Sequence, residues 1–167
     1  MIPGHSLIGS VHILDAIAAL GLGGYVVLAR KGTPLHRLVG LAYVFSMLLV
    51  NISALADYKM TGHFGPFHAA ALFSLVCVLL GLAAPILRRP GWLKTHYRWM
   101  GWSYFGLLAA AFAETMVRVP YLRPRTIPVA FAVAIGASVM FSLLGGVFMR
   151  RLGRSLPPSA RAARQGV

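Results

Sequence analysis

Four histidines sit where an imidazole could bind iron. His12 and His68 fall inside long apolar runs, about one turn from their starts. His36 and His96 open two other apolar runs, 60 residues apart. The second pair shares its surroundings. "HRLVGLAY" (His36 to Tyr43) returns as "HYRWMGWSY" (His96 to Tyr104), each after a basic turn and each carrying Arg-x-x-Gly-x-x-Tyr. Histidine is costly in hydrocarbon and normally faces a helix bundle interior or water. Neutral imidazole is also a good iron ligand, and haem is a common guest of bundle cores. Small residues flank both pairs: Gly40 and Gly101 near one, Ala16, Ala19 and Ala71 near the other. The bland alternative is that histidines at a helix mouth beside arginine only sit in the headgroup zone.

Arg37 and Arg98 follow these mouths and suit haem propionates, since guanidinium matches carboxylate geometry; lipid phosphate is their alternative partner. The chain has three acids, Asp15, Asp57 and Glu114. Asp15 lies three residues after His12 on the same helix face, placed to orient its ring. Glu114 precedes Arg118 by four residues, the spacing of a helical ion pair. Its sharper reading is a proton-handling or quinol-binding group. A non-haem metal site of His12, His68 and a carboxylate is a further option. His5 and His63 read as loop residues that could substitute for His12 or His68.

These residues need elements to carry them. Of 167 residues, 58% are hydrophobic and 11% charged, with a mean hydropathy of +0.74. A soluble domain carries roughly 25% charged residues. The apolar blocks are about 20 residues long, the length of a bilayer core, and are continuous rather than alternating. The reading is an all-α membrane protein with five transmembrane helices: Leu7–Ala29, Leu35–Ala56, Pro66–Leu87, His96–Val117 and Ile127–Met149. "RKGTP", "YKMTGHFGP", "RRPGWLK" and "RVPYLRPRT" separate them, each with Gly or Pro. Pro85 is expected to end or kink the third helix. Residues 1–150 form one transmembrane domain, and 151–167 read as a disordered basic tail near anionic lipid.

A net charge of +13 does not point to nucleic acid, because the cations sit at the ends of apolar runs. Twelve Lys and Arg fall on one side of the five spans and four on the other. The richer side is cytoplasmic by the positive-inside rule, which puts the N-terminus outside and the C-terminus inside. The opening "MIPGHSLIGS" has no early Lys or Arg, unlike a cleaved signal peptide, and is expected to be mature structure. Cys77 lies in mid-span with no second cysteine to pair with.

Residues 7–57 and 64–118 read as a repeat. Each unit has a histidine near the start of its first helix, a basic turn, a histidine at the mouth of its second helix, then Arg-x-x-Gly-x-x-Tyr. Both units start on the same side, so the repeat is parallel, with its axis along the membrane normal. The fifth helix, 127–149, is extra. In a four-helix bundle of this kind His12 faces His68 in the outer leaflet and His36 faces His96 in the inner one. The run from His12 to Arg30 is 18 residues, about 27 Å of helix. One or two haems at these depths would make an electron path across the membrane.

"HRLVGLAY", "GHFGPFH" and "THYRWMGWSYFGLLAAAFAETMVR" resemble a prokaryotic family of small predicted membrane proteins of unknown function, over roughly His12 to Arg118. The histidine layout is also similar to the cytochrome b561 superfamily, whose facing histidines on alternate helices hold two b-type haems. That likeness implies His12 with His68, and His36 with His96, as haem-iron ligands. The functional expectation is a multi-pass cytochrome of the bacterial inner membrane, a transmembrane electron-transfer oxidoreductase with haem b and a quinol or another redox partner. The alternative is a non-catalytic membrane subunit or assembly factor of a larger respiratory or photosynthetic complex. A small-solute or metal transporter is a third class, without the paired broken helices that would support it.

Overall fold

The computed structural model describes residues 7–57 and 62–118, together with 129, 132, 136, 139, 140 and 143–147. Every regular element in it is helical. His5, Lys59, Arg123, Arg125, the basic tail and the Arg118 side chain, and with it the expected Glu114–Arg118 pair, lie outside the described residues. The chain divides into two compact units, 1–78 and 79–167. The division falls inside a helix, not in the loop that separates the two sequence repeats.

The first unit holds α1 (Leu7–Leu28), α2 (Pro34–Ala56) and the first part of α3 (Pro66–Leu87). Within it α1 packs against α2. The buried residues of α1 are small, Ser10, Ala19 and Gly23, which lets α2 come close. α2 buries Tyr43, Ser46, Met47, Val50 and Asn51, a stripe at three- and four-residue spacing. Small and polar groups lie inside while Leu14, Ile17, Leu38, Phe45 and Ile52 lie at 59% exposure or more. In water such a surface would aggregate; in a bilayer it is the lipid-facing side.

Among the described residues three helices are long and apolar enough to cross a membrane: Leu7–Leu28, Pro34–Ala56 and Phe67–Leu87. At 21 to 23 residues, each spans about 30 Å of hydrocarbon. The fourth helix, α4, was expected from His96 but runs Trp92–Arg118. "WLKT" joins it because nothing after Gly91 breaks a helix. α4 thereby includes Lys94 and Arg98, and it is not among those three apolar spans.

The two basic turns are built alike. Gly32 has φ 79° and Gly91 φ 75°, the left-handed region that glycine enters without a Cβ clash. The α1–α2 turn closes on itself. The Lys31 ammonium donates to the carbonyls of Val26, Val27 and Ala29 at 2.7, 2.6 and 3.0 Å, satisfying acceptors left at the end of α1. Thr33 caps α2 by accepting the His36 N–H through Oγ1 at 3.1 Å, and Pro34 takes the first helical position. Changing Gly91 to Ala is expected to cost about 1 kcal/mol through the left-handed backbone, read as a lower unfolding midpoint in mixed micelles. An Ala change at Gly106, which has φ outside that region and open space around it, should leave the midpoint in place.

The second unit holds the rest of α3, α4 and the described residues between 129 and 147, which are helical. This last segment meets α4 where the Phe105 ring lies against Gly145. The interior carries Ala84, Ser103, Leu107, Ala109 and Ala113.

Candidate functional site

The neutral imidazole has one N–H and one lone pair, and the hydrogen bond at one nitrogen decides which is left at the other. A ring that binds iron through Nε2 carries its proton on Nδ1 and usually donates it to a carbonyl, carboxylate or water. Each histidine can be read against that requirement.

His12 sits on α1, half-buried, with Nδ1 2.9 Å from Ser53 Oγ of α2. Ser53 Oγ is itself 2.7 Å from the Leu49 carbonyl and 3.0 Å from that of Val50. Its single proton goes to a carbonyl, so it accepts from His12. Nδ1 is therefore the protonated atom, and Nε2 keeps the lone pair. Asp15 was expected to orient this ring; it lies one turn on, half-buried, and the place at Nδ1 belongs to Ser53.

His96 is half-buried on α4, with Nδ1 2.7 Å from the Gly81 carbonyl of α3. A carbonyl only accepts, so Nδ1 again carries the proton and Nε2 the lone pair. The reason this carbonyl is available lies in the sequence. Within α3 the Gly81 carbonyl would accept from the N–H four residues on, and that residue is Pro85, which has none. α3 runs through Pro85 to Leu87 rather than ending there, and His96 supplies the missing donor. A neighbouring helix satisfying the carbonyl freed by proline is the usual condition for proline inside a membrane helix. Close approach makes it work: a Cβ at Gly81 would lie 2.5 Å from Met100 Sδ.

His68 differs. It is 3% exposed at the start of α3, and its Nδ1 accepts the Gly65 N–H at 3.2 Å. The lone pair is thus on Nδ1, and the neutral ring carries its proton on Nε2, which is buried. Nε2 ligation of iron would turn an Nδ1 proton toward the Gly65 N–H. The donor chemistry fits a haem-iron ligand at His12 and His96 and does not fit at His68 as it is held here. Phe64 packs on the His68 ring, with centroids 5.4 Å apart.

His36 is the third residue of α2, half-buried, with its Nδ1 in the interior. It belongs to the first unit and His96 to the second. Leu20-Gly21-Leu22 and Leu80-Gly81-Leu82 precede these two histidines by the same 15 residues. The position four beyond Gly21 is Tyr25, not proline, so α1 offers no orphaned carbonyl. Arg37 and Arg98 are exposed; the Arg98 guanidinium lies over the Trp99 ring, 5.8 Å from its centroid. Glu114 is half-buried on α4, and Asp57 ends α2. Among the described residues no three His, Cys, Asp or Glu side chains converge as metal ligands.

Sequence reasoning missed Ser53, Gly65 and Gly81 as the groups that set the three rings. Two of them act through backbone atoms, which leave no mark in side-chain type. The proline four after Gly81, with a histidine 15 residues away, was the one readable sign.

The model of a predicted membrane protein family, DUF2306, matches residues 9–152. The chain belongs to DUF2306. The match takes in all four candidate histidines, Arg37, Arg98, Asp15 and Glu114, so the arrangement lies within the part that defines a DUF2306 protein. No curated protein and no solved structure matches the chain.

Proposed function

We propose that this DUF2306 protein is a b-type cytochrome of the bacterial inner membrane, crossing it five times with the N-terminus outside and the C-terminus inside. In this reading it carries electrons across or within the membrane, with quinol as a candidate donor. One observation carries the proposal: His12 and His96 each hold an Nδ1–H on an acceptor and so keep Nε2 as a base. His12 in the first unit and His96 in the second would each hold a haem iron through Nε2, one for the outer-leaflet haem and one for the inner-leaflet haem. His36 and His68 enter through the layout shared with the cytochrome b561 superfamily, and His68 would first have to release the Gly65 N–H. Haem iron, when bound, supplies one-electron chemistry. The chain's part is to fix ring orientation through Ser53 and Gly81 and to keep lipid-facing surface around the site. Arg37 and Arg98 would meet propionates, and Asp15 and Glu114 would handle protons.

The test is the visible spectrum of the purified protein, oxidised and then reduced with dithionite. Sharp low-spin reduced bands are the expected result; a colourless protein from haem-replete cells overturns the reading.

A second reading is a non-catalytic membrane subunit or assembly factor of a larger complex. It is favoured by His68, whose Nδ1 bond to Gly65 closes the first turn of α3, and by the donor that His96 lends to a helix carrying an internal proline. Under that reading the protein is colourless, and its histidines matter to stability alone.

A further inference from the structure

We propose that the α3–α4 turn, Arg88 to Arg98, is a binding site for anionic phospholipid headgroups, and that it holds them more tightly than the α1–α2 turn does. Arg88 and Arg89 follow directly on α3, and Lys94 and Arg98 stand one turn apart on α4, so they share a face. All four are exposed. The three acids of the chain, Asp15, Asp57 and Glu114, all lie outside this stretch of sequence. Among the described residues Arg88, Arg89 and Lys94 form no ion pair or side-chain hydrogen bond. The first turn of α4 contains no acid either, and the positive end of a helix adds to the pull on phosphate. Trp92 and Trp99 are half-buried in the same stretch, as indoles are at headgroup depth.

The α1–α2 turn supplies the contrast. It is also basic, with Arg30, Lys31 and Arg37, but Lys31 spends its three protons on carbonyls of its own chain. The α2 start is closed by Thr33 and Pro34. Sequence alone makes the two turns look equivalent; the side-chain geometry commits Lys31 of one to its own chain and leaves Arg88, Arg89 and Lys94 of the other open. Four cations within 11 residues match a headgroup with two phosphates better than one with a single phosphate.

A cation near an anionic surface contributes roughly a fivefold gain in binding. The experiment is native mass spectrometry of the full-length protein in detergent, titrated with diphosphatidylglycerol, phosphatidylglycerol and phosphatidylcholine. Wild type should retain them in that order. Arg89→Gln should weaken diphosphatidylglycerol binding about fivefold and Arg30→Gln less than twofold. Arg88→Gln with Arg89→Gln and Lys94→Gln should weaken it at least tenfold and flatten its salt dependence. Arg88→Lys with Arg89→Lys should retain binding, which separates charge from folding, and millimolar inorganic phosphate should not displace the lipid. Equal retention of the three lipids, or equal losses from Arg30→Gln and Arg89→Gln, would overturn the proposal. None of these changes touches His12, His96, Arg37 or Arg98, the residues assigned to haem under the proposed function, so the losses they cause are read independently of haem binding.

Discussion

Replacing His96 with leucine is expected to remove at least half of the bound haem and, separately, to lower the stability of the second unit by about 1–3 kcal/mol. The first effect follows from loss of Nε2. The second follows from the Gly81 carbonyl, which has no intrahelical donor because Pro85 stands four residues on, and which then stays buried without a partner. Two companion changes separate the effects. His96→Gln can still offer an N–H near Gly81 but no nitrogen base for iron, so haem is lost with a smaller loss of stability. Pro85→Ala restores the backbone donor inside α3, so in that background His96→Leu should cost much less. The coupling is read from a double-mutant cycle on unfolding midpoints in mixed micelles. If His96→Leu costs the same with and without Pro85, the Gly81 carbonyl is not what His96 serves.

The second large effect belongs to Gly81. A Cβ there would lie 2.5 Å from Met100 Sδ, 2.8 Å from its Cγ and 3.2 Å from the Met100 main-chain nitrogen. The thioether can swing aside, but the backbone cannot. Gly81→Val is expected to cost about 1–3 kcal/mol by overpacking and to lengthen the His96 bond that depends on the same approach. Met100→Ala in the same chain should recover part of the loss and not all of it, since the 3.2 Å contact remains. An unfolding midpoint equal to wild type in Gly81→Val would show that α3 and α4 do not approach this closely.

Much of the helical layout is legible in the sequence. α3 falls on Pro66–Leu87 as expected, and α1 and α2 differ from expectation by one residue at one end each. Block length and bounding Gly and Pro are strong signals, and they act locally. The start of α4 was misplaced because Lys94 and Thr95 read as turn residues, while helix formation after Gly91 needs only the absence of a breaker. Pro85 was expected to end or kink α3 in its last turn; it lies inside the helix, tolerated because a side chain 11 residues further on supplies the missing N–H. The histidines were legible as candidates from their depth. Their tautomers were not, because Ser53 lies 41 residues from His12, and Gly65 and Gly81 act through main-chain atoms. The repeat suggested equal roles for His36 and His96, yet Tyr25 and Pro85, at matching places, give the two halves different needs.

The most direct test of the central claim, that His12 and His96 present Nε2 to haem iron, is haem content per chain. Pyridine haemochrome assay on protein purified from haem-replete cells should give one to two haems b per polypeptide for wild type. It should give a clear drop for His12→Leu and for His96→Leu, with Ser53→Ala between. A wild-type protein with no haem, or one whose haem content is untouched by either histidine change, would contradict it.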